Sequence, residues 1–254
     1  MRRLEGKVIL VAGAGAIGAE LARRYAAEKA CVVLGDVDVT RARDAAAEIA
    51  RAGGRIIAVK LDGTDESSIA AAVSQCRESC GGLDGLHANF AMFEDVETDI
   101  GVMELDLETF DRVMQVNVRG FLLCTRHALP EMIARGGGAI LYTGSIAAYT
   151  GGPRRVAYAM SKSAILALMR HVASRYGSHG IRANVIVPGF IMRADQEDVF
   201  RPEVIQRAKD SALLKSRIGD PADVAALSAM LMSDEGSFIT GQSIAVDGGV
   251  TLRP

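Results

Sequence analysis

The sequence predicts a doubly wound α/β fold: one domain over residues 1–254, with a parallel sheet of about seven strands and helices on both faces. Two observations predict it. Short apolar runs alternate with longer helical patterns throughout the 254 residues. Several of those runs are continuously apolar, as expected of parallel strands buried on both faces. Such alternation implies right-handed crossovers and a layered domain.

The elements follow in order. Val8–Ala12 is an apolar strand, followed by a helical pattern at 17–29. Cys31–Leu34 is the second strand. Segment 39–52 is an amphipathic helix, with Ala42, Ala46, Ile49 and Ala50 on one face and Arg41, Arg43, Asp44 and Glu48 elsewhere. Strand Ile56–Leu61, helix 66–80 and strand Gly85–Ala88 come next, then a long helix at 108–135 and strand Ala139–Thr143. Helix 157–177 and strand Ala183–Val187 follow. Asp220–Pro221 reads as an N-cap with Pro at the first helical position, opening helix 221–232. Ser243–Val246 is the last strand. Two long connections break the rhythm, 90–107 and 189–219, the second with a short helix near 202–213. Both follow strands, so both should hang over the carboxyl edge of the sheet, where such folds bind ligands.

Composition narrows the function. The formal charge is −2, and 49% of residues are hydrophobic, with 27 Gly and no Trp. Nothing there suggests a nucleic-acid partner or an anionic membrane. No run reaches the roughly 18 apolar residues of a membrane span, and residues 1–7 lack the apolar stretch of a secretory signal. A cytoplasmic protein is expected, with Cys31, Cys76, Cys80 and Cys124 as reduced thiols. Cys76 and Cys80 lie in a helical pattern without a His cluster, so no metal is expected.

The first strand runs into Gly13–Ala14–Gly15–Ala16–Ile17–Gly18 and then a helix. This G-x-G-x-x-G between strand and helix lets a pyrophosphate approach the helix N-terminus, where free N–H groups and the dipole favour anions. Asp36 ends the second strand, 18 residues after Gly18, near the spacing of about 20 expected for a ribose-binding carboxylate. The reading is a Rossmann-like site for NAD. A carboxylate at Asp36 would repel the 2′-phosphate of NADP, and no Arg or Lys immediately follows it. Arg41 and Arg43 read as solvated helix residues.

Tyr158 and Lys162 are spaced i, i+4 on a predicted helix, hence on one face. A cation beside a phenol favours the phenolate and should lower its pKa from about 10. Ser145, at the tip of a strand, could orient a substrate oxygen between them.

Together these features resemble the short-chain dehydrogenase/reductase family, from Lys7 to about Gly249. Tyr158-x-x-x-Lys162 matches its catalytic pair, and Ser145 lies thirteen residues before the Tyr. Asn117 matches the helix Asn, and Asp62, followed by Gly63, the Asp that contacts adenine. Ile181–Gly189 (Ile-Arg-Ala-Asn-Val-Ile-Val-Pro-Gly), Arg217–Pro221 and Val246–Gly249 match further signatures. The resemblance implies hydride transfer between NAD(H) and a secondary alcohol or ketone. Tyr158 is the implied acid–base, Lys162 its stabiliser and a ribose ligand, and Ser145 the holder of the substrate oxygen. Asn117 would position a water leading from Lys162 to solvent. Implied nucleotide contacts are Gly13, Gly15, Ala16, Ile17, Gly18, Asp36, Asp62, Gly63, Asn89, Tyr158, Lys162, Pro188, Gly189 and Ile191. A homotetramer (or homodimer) on helices 108–135 and 157–177 is also implied.

The chain departs from the family pattern in three places. Its glycine loop is one residue shorter, with Ala12 for Thr; Ala88–Asn89–Phe90–Ala91 stands for N-N-A-G; and Arg193 replaces a Thr. Phe90, Met92, Phe93, Tyr149 and Phe190 are read as an apolar substrate wall, with packing alone as the other reading. Arg154 and Arg155 read as a solvated face, and His87 as a satisfied core or near-cofactor residue. Two alternatives stay open: a non-catalytic NAD-binding regulator of the same fold, and a 3-oxoacyl-reductase-like subtype.

Overall fold

Seven strands line up in the order β3-β2-β1-β4-β5-β6-β7, all parallel. The structure is a computed structural model and describes residues 2–92, 101–193 and 200–252. The strands are β1 Val8–Ala12, β2 Cys31–Asp36, β3 Arg55–Lys60, β4 Gly85–Ala88, β5 Gly138–Thr143, β6 Ile181–Pro188 and β7 Ser243–Val246. The helices are α1 Ala16–Ala27, α2 Val39–Arg51, α3 Glu66–Cys80, α4 Leu107–Met114, α5 Gly120–Ala134, α6 Val156–Tyr176, α7 Pro202–Ser211 and α8 Pro221–Met232. The predicted fold is the observed one.

Successive strand residues point to opposite faces, and the core divides accordingly. Val8, Leu10 and Ala12 of β1 face α3, α5 and α6 in one cluster; Ile9 and Val11 face α1, α2 and α8 in the other. Side chains stop the helices from fraying. Asp38 accepts from Thr40 and Arg41 N–H at the start of α2, and Asp65 from Ser67 N–H at α3. Asp220 and Asp223 form a capping box on α8, the reciprocal arrangement that satisfies two otherwise orphaned donors. Because β2 and β3 lie to one side of β1 and the remaining strands to the other, the switch point falls between β1 and β4. That is where ligands enter such sheets.

Two expectations need correction. The helix predicted at 108–135 is α4 and α5 joined by a π-helical turn, Gln115–Arg119. π-Turns concentrate at functional sites, and this one carries Asn117. The cysteines are not all reduced thiols: Cys31 and Cys80 form a disulfide. Cys31 opens β2 and Cys80 closes α3, so residues separated by 49 positions in the chain meet at one end of the sheet. Cys76 and Cys124 are free and buried, and burial pushes both thiols up to about 12. Among the described residues no helix is long and apolar enough to cross a membrane.

Candidate active site

The end of β5 and the start of α6 bring three of the predicted residues together. Ser145 leaves β5 and caps a single 3₁₀ turn, its Oγ accepting from Ala147 N–H at 3.1 Å. The same hydroxyl acts on the Tyr158 phenol and pulls its pKa down. One turn further along α6, Lys162 is 1% exposed and donates from Nζ to the Thr143 carbonyl at 2.9 Å. Its Nζ stands 5.6 Å from the Tyr158 ring centroid and 5.3 Å from that of Phe121.

The charge balance differs from the sequence expectation. Burial raises the Tyr158 phenol above its usual value, against the opposing pull of the Ser145 hydrogen bond and the Arg155 charge. Burial also pushes the Lys162 ammonium down to about 7. Taking either group out of water disfavours its charged form. The ammonium therefore does not dominate the phenol, and the protein's own groups favour a neutral Tyr158, ready to donate a proton.

Asn117 is fully buried in the π-turn. Its Oδ1 accepts from Met92 N–H at 2.7 Å, and its Nδ2 donates to the Met92 carbonyl at 3.1 Å and to Ser161 Oγ at 3.0 Å. Ser161 Oγ donates in turn to the Tyr158 carbonyl at 2.7 Å. The carboxamide thus ties the strand-β4 loop to the helix that carries Tyr158 and Lys162, and both its N–H groups are occupied.

The glycine loop sits at the switch point. Gly13 has φ +106°, and a Cβ there would fall 2.6 Å from Phe90 N. A Cβ on Gly18 would fall 1.7 Å from the Gly13 carbonyl oxygen, so α1 starts as close to the loop as backbone allows. Gly15 is different: no protein atom lies within 4 Å of its missing Cβ. It is the N-cap of α1, and no side chain satisfies that helix end. Bare backbone facing open space at Gly15, at the uncapped start of α1, fits the pyrophosphate of a dinucleotide. Asp36 Oδ2 accepts from Ala14 N–H at 2.6 Å and Oδ1 from Asp38 N–H at 2.9 Å, which aims the carboxylate at the loop. Arg41, read as solvated, comes within 3.7 Å of Asp36. Asp62 Oδ1 accepts from Thr64 N–H and Oγ1, shaping the turn that presents Gly63. On the other flank, Gly189 N–H donates to the Val246 carbonyl at 3.0 Å, and Ile191 pairs with Gly219. This brings Pro188 and Gly189 against the Val246–Gly249 signature.

The substrate-wall residues separate. Phe90 turns its ring into the core, T-stacked on Phe121 with centroids 5.0 Å apart. Cβ atoms on Gly63 and Gly120 would strike that ring at 2.6 and 2.9 Å; two glycines make the room, which supports the packing reading of this partly buried ring. Met92 is held by Asn117. Tyr149 is 37% exposed, its hydroxyl bonded to Ser243. Phe190 stacks edge-on against Phe200 at 5.3 Å, and Arg193 is exposed. Phe93 and the middle parts of both predicted loops, 93–100 and 194–199, lie outside the described residues. Thr143 was not singled out from sequence, yet its carbonyl holds Lys162 and its hydroxyl donates to Asn89 Oδ1 at 2.8 Å. Its place at the end of β5, two residues before Ser145, was the available signal.

Comparison with known proteins agrees with this geometry. The family profile described as enoyl-(acyl carrier protein) reductase matches residues 11–251. A probable short-chain type dehydrogenase/reductase of Bradyrhizobium diazoefficiens is 39% identical, covering 98% of this chain and 89% of that protein. The cis-4-hydroxycyclohexanecarboxylate dehydrogenase of Sinomonas cyclohexanicum is 37% identical over 96% of both. Among solved structures, a 7α-hydroxysteroid dehydrogenase complexed with NADH and 7-oxo glycochenodeoxycholic acid superposes with a TM-score of 0.90. It is 31% identical and covers 97% of this chain and 95% of its own.

Proposed function

The chain belongs to the short-chain dehydrogenase/reductase family, and from that premise we propose an NAD-dependent enzyme that interconverts a secondary alcohol on an aliphatic ring and its ketone. It is an oxidoreductase, and its cofactor is a nicotinamide dinucleotide. The ring-alcohol class is supported by two relatives, one named for a hydroxycyclohexane substrate and one solved with an oxo-steroid conjugate. The preference for NAD rests on Asp36, whose carboxylate is aimed at the glycine loop by two backbone N–H groups.

The bound nicotinamide supplies the site that accepts or returns hydride. In the reductive direction Ser145 Oγ–H holds the substrate carbonyl oxygen and Tyr158 gives that oxygen its proton. In the oxidative direction Tyr158, as phenolate, takes the hydroxyl proton. Lys162, protonated, stabilises that phenolate and holds ribose hydroxyls of the nucleotide. Asn117 locks α6 to the loop after β4, so that Tyr158 keeps its place relative to the glycine loop. Acid–base help of this kind is worth about 10²–10⁴-fold. The observation that carries the proposal is the convergence of Ser145 on the Tyr158 phenol, one helical turn from a buried Lys162 and at the same sheet edge as the open Gly15 backbone.

A second copy is the proposed partner. A groove of about 610 Å³ between α5 and α6, lined by Leu122, Leu129, Ile133, Leu168 and Tyr176, is the surface a homotetramer or homodimer would cover. The proposed location is the cytoplasm, where Cys31 and Cys80 would exchange with the thiol pool. The test is a panel of cyclic and open-chain secondary alcohols and ketones, followed by nicotinamide absorbance with NAD and NADP in parallel. Turnover of ring alcohols with NAD is expected. A preference for NADP overturns the reading of Asp36, and tight NAD binding without any turnover points to a regulatory protein instead.

A further inference from the structure

A buried hydrogen-bond chain crosses the sheet beneath the site, and its direction is determined. It ends on the Gly13 carbonyl, which only accepts. Asn89 Nδ2 donates to that carbonyl at 3.3 Å, so Asn89 Oδ1 faces Thr143 and accepts from its Oγ1 at 2.8 Å. With its proton committed, Thr143 Oγ1 accepts from its other neighbour, His87 Nε2, at 3.0 Å. His87 is therefore the Nε2–H tautomer. Its bare Nδ1 accepts from the Tyr25 hydroxyl at 2.8 Å. His87 has no exposed surface, and burial pushes it down to about 3, so the ring stays neutral and cannot donate from both nitrogens.

The chain joins two functional parts. One end is the Gly13 carbonyl, the atom a Gly18 Cβ would strike. In the middle is Thr143, whose own carbonyl accepts from Lys162 Nζ. His87 is the one member with a choice of tautomer. If its Nε2 did not donate, the Thr143 proton could turn away from Asn89. The Asn89 amide could then flip and set an oxygen against the Gly13 carbonyl. Buried polar networks are costly when partly satisfied, so the two ends are coupled.

We infer that His87 is a positioning residue: its Nε2–H tautomer, fixed from the Gly13 end of the chain and matched by the Tyr25 hydroxyl, orients Asn89 under the glycine loop and steadies Thr143 under Lys162. The inference rests on the reading of the glycine loop as the nucleotide cradle, and it adds a residue that touches neither nucleotide nor substrate.

Three measurements test it. In ¹⁵N-labelled native protein, the His87 ring nitrogens should report the neutral Nε2–H tautomer. The Nδ1–H tautomer, or a protonated ring at neutral pH, overturns the inference. His87→Leu should weaken NADH binding, followed by fluorescence titration, by about 5- to 10-fold, the size of one net hydrogen bond. It should also displace the limb of the kcat pH profile that Lys162 sets. His87→Gln, which can still donate to Thr143, should restore most of both. Thr143→Val should resemble His87→Leu, and the double variant should be no worse than the worse single one, as expected within one network. Folded His87→Leu protein with binding and pH profile unchanged overturns the inference, as does full additivity. Native protein that binds no NADH overturns the nucleotide reading instead, and the tautomer measurement still decides the lock.

Discussion

The floor and the rim of the carboxyl edge are built on different physical terms. On the floor, Asn117, Lys162 and His87 are at most 1% exposed, and their polar groups meet named partners. On the rim, Tyr149 is 37% exposed, Arg193 is exposed, and Phe190 leans on one neighbouring ring. A buried polar group left without a partner costs about 1–3 kcal/mol, so floor geometry is over-determined. A rim residue faces water and changes at little cost. The proposed chemistry therefore sits where alteration is punished by instability, and the proposed substrate contacts sit where it is not.

The largest expected effect is on the floor. Tyr158→Phe should lower kcat by about 10²–10⁴-fold or more while NADH titration shows binding retained. Full activity would sink the assignment of Tyr158 as the proton carrier. Next, Asn117→Ala removes three hydrogen bonds and strands the Met92 backbone groups. Urea unfolding should show roughly 2–4 kcal/mol of lost stability, together with reduced kcat. An unaltered midpoint would mean that the π-turn does not depend on this side chain.

Lys162 gives a pH test with a definite sign. Its folded value is depressed to about 7 from an ordinary 10.5. Between those values the unfolded chain carries the extra proton, so stability from this group rises with pH through that window. The difference in unfolding free energy between the native protein and Lys162→Met should shift towards the native protein from pH 7 to 10.5. A flat difference would place the ammonium in a wetter setting than its burial implies. The smallest effect belongs to the rim. Tyr149→Phe should leave stability within about 0.5 kcal/mol and change KM across a substrate panel with kcat held. A loss of kcat approaching that of Tyr158→Phe would erase the contrast between the regions.

Much of this was legible in the chain. The strand–helix alternation holds because apolar runs report burial on both faces wherever they occur. β2 extends past the predicted Leu34 because Gly35 and Asp36 keep the ladder with β3, although neither is apolar. The glycine loop, Asp36, Ser145, Tyr158 and Lys162 could be named from spacing, and Asn117 from the family resemblance. Their partners could not. Phe90 looked like a substrate wall because it follows β4, yet two distant glycines, Gly63 and Gly120, open the core to it.

The sequence by itself determined the doubly wound sheet, the strand–loop–helix unit for a dinucleotide and the i, i+4 pairing of Tyr158 with Lys162, because each depends on spacing within one or two neighbouring elements. Only the tertiary structure decided the π-turn at Asn117, the Cys31–Cys80 bond, the inward turn of Phe90 and the neutral bias of the catalytic pair. Those depend on what distant segments place around a side chain. Burial and hydrogen-bond partners, which set charge and orientation, belong to the packed fold and have no period along the chain.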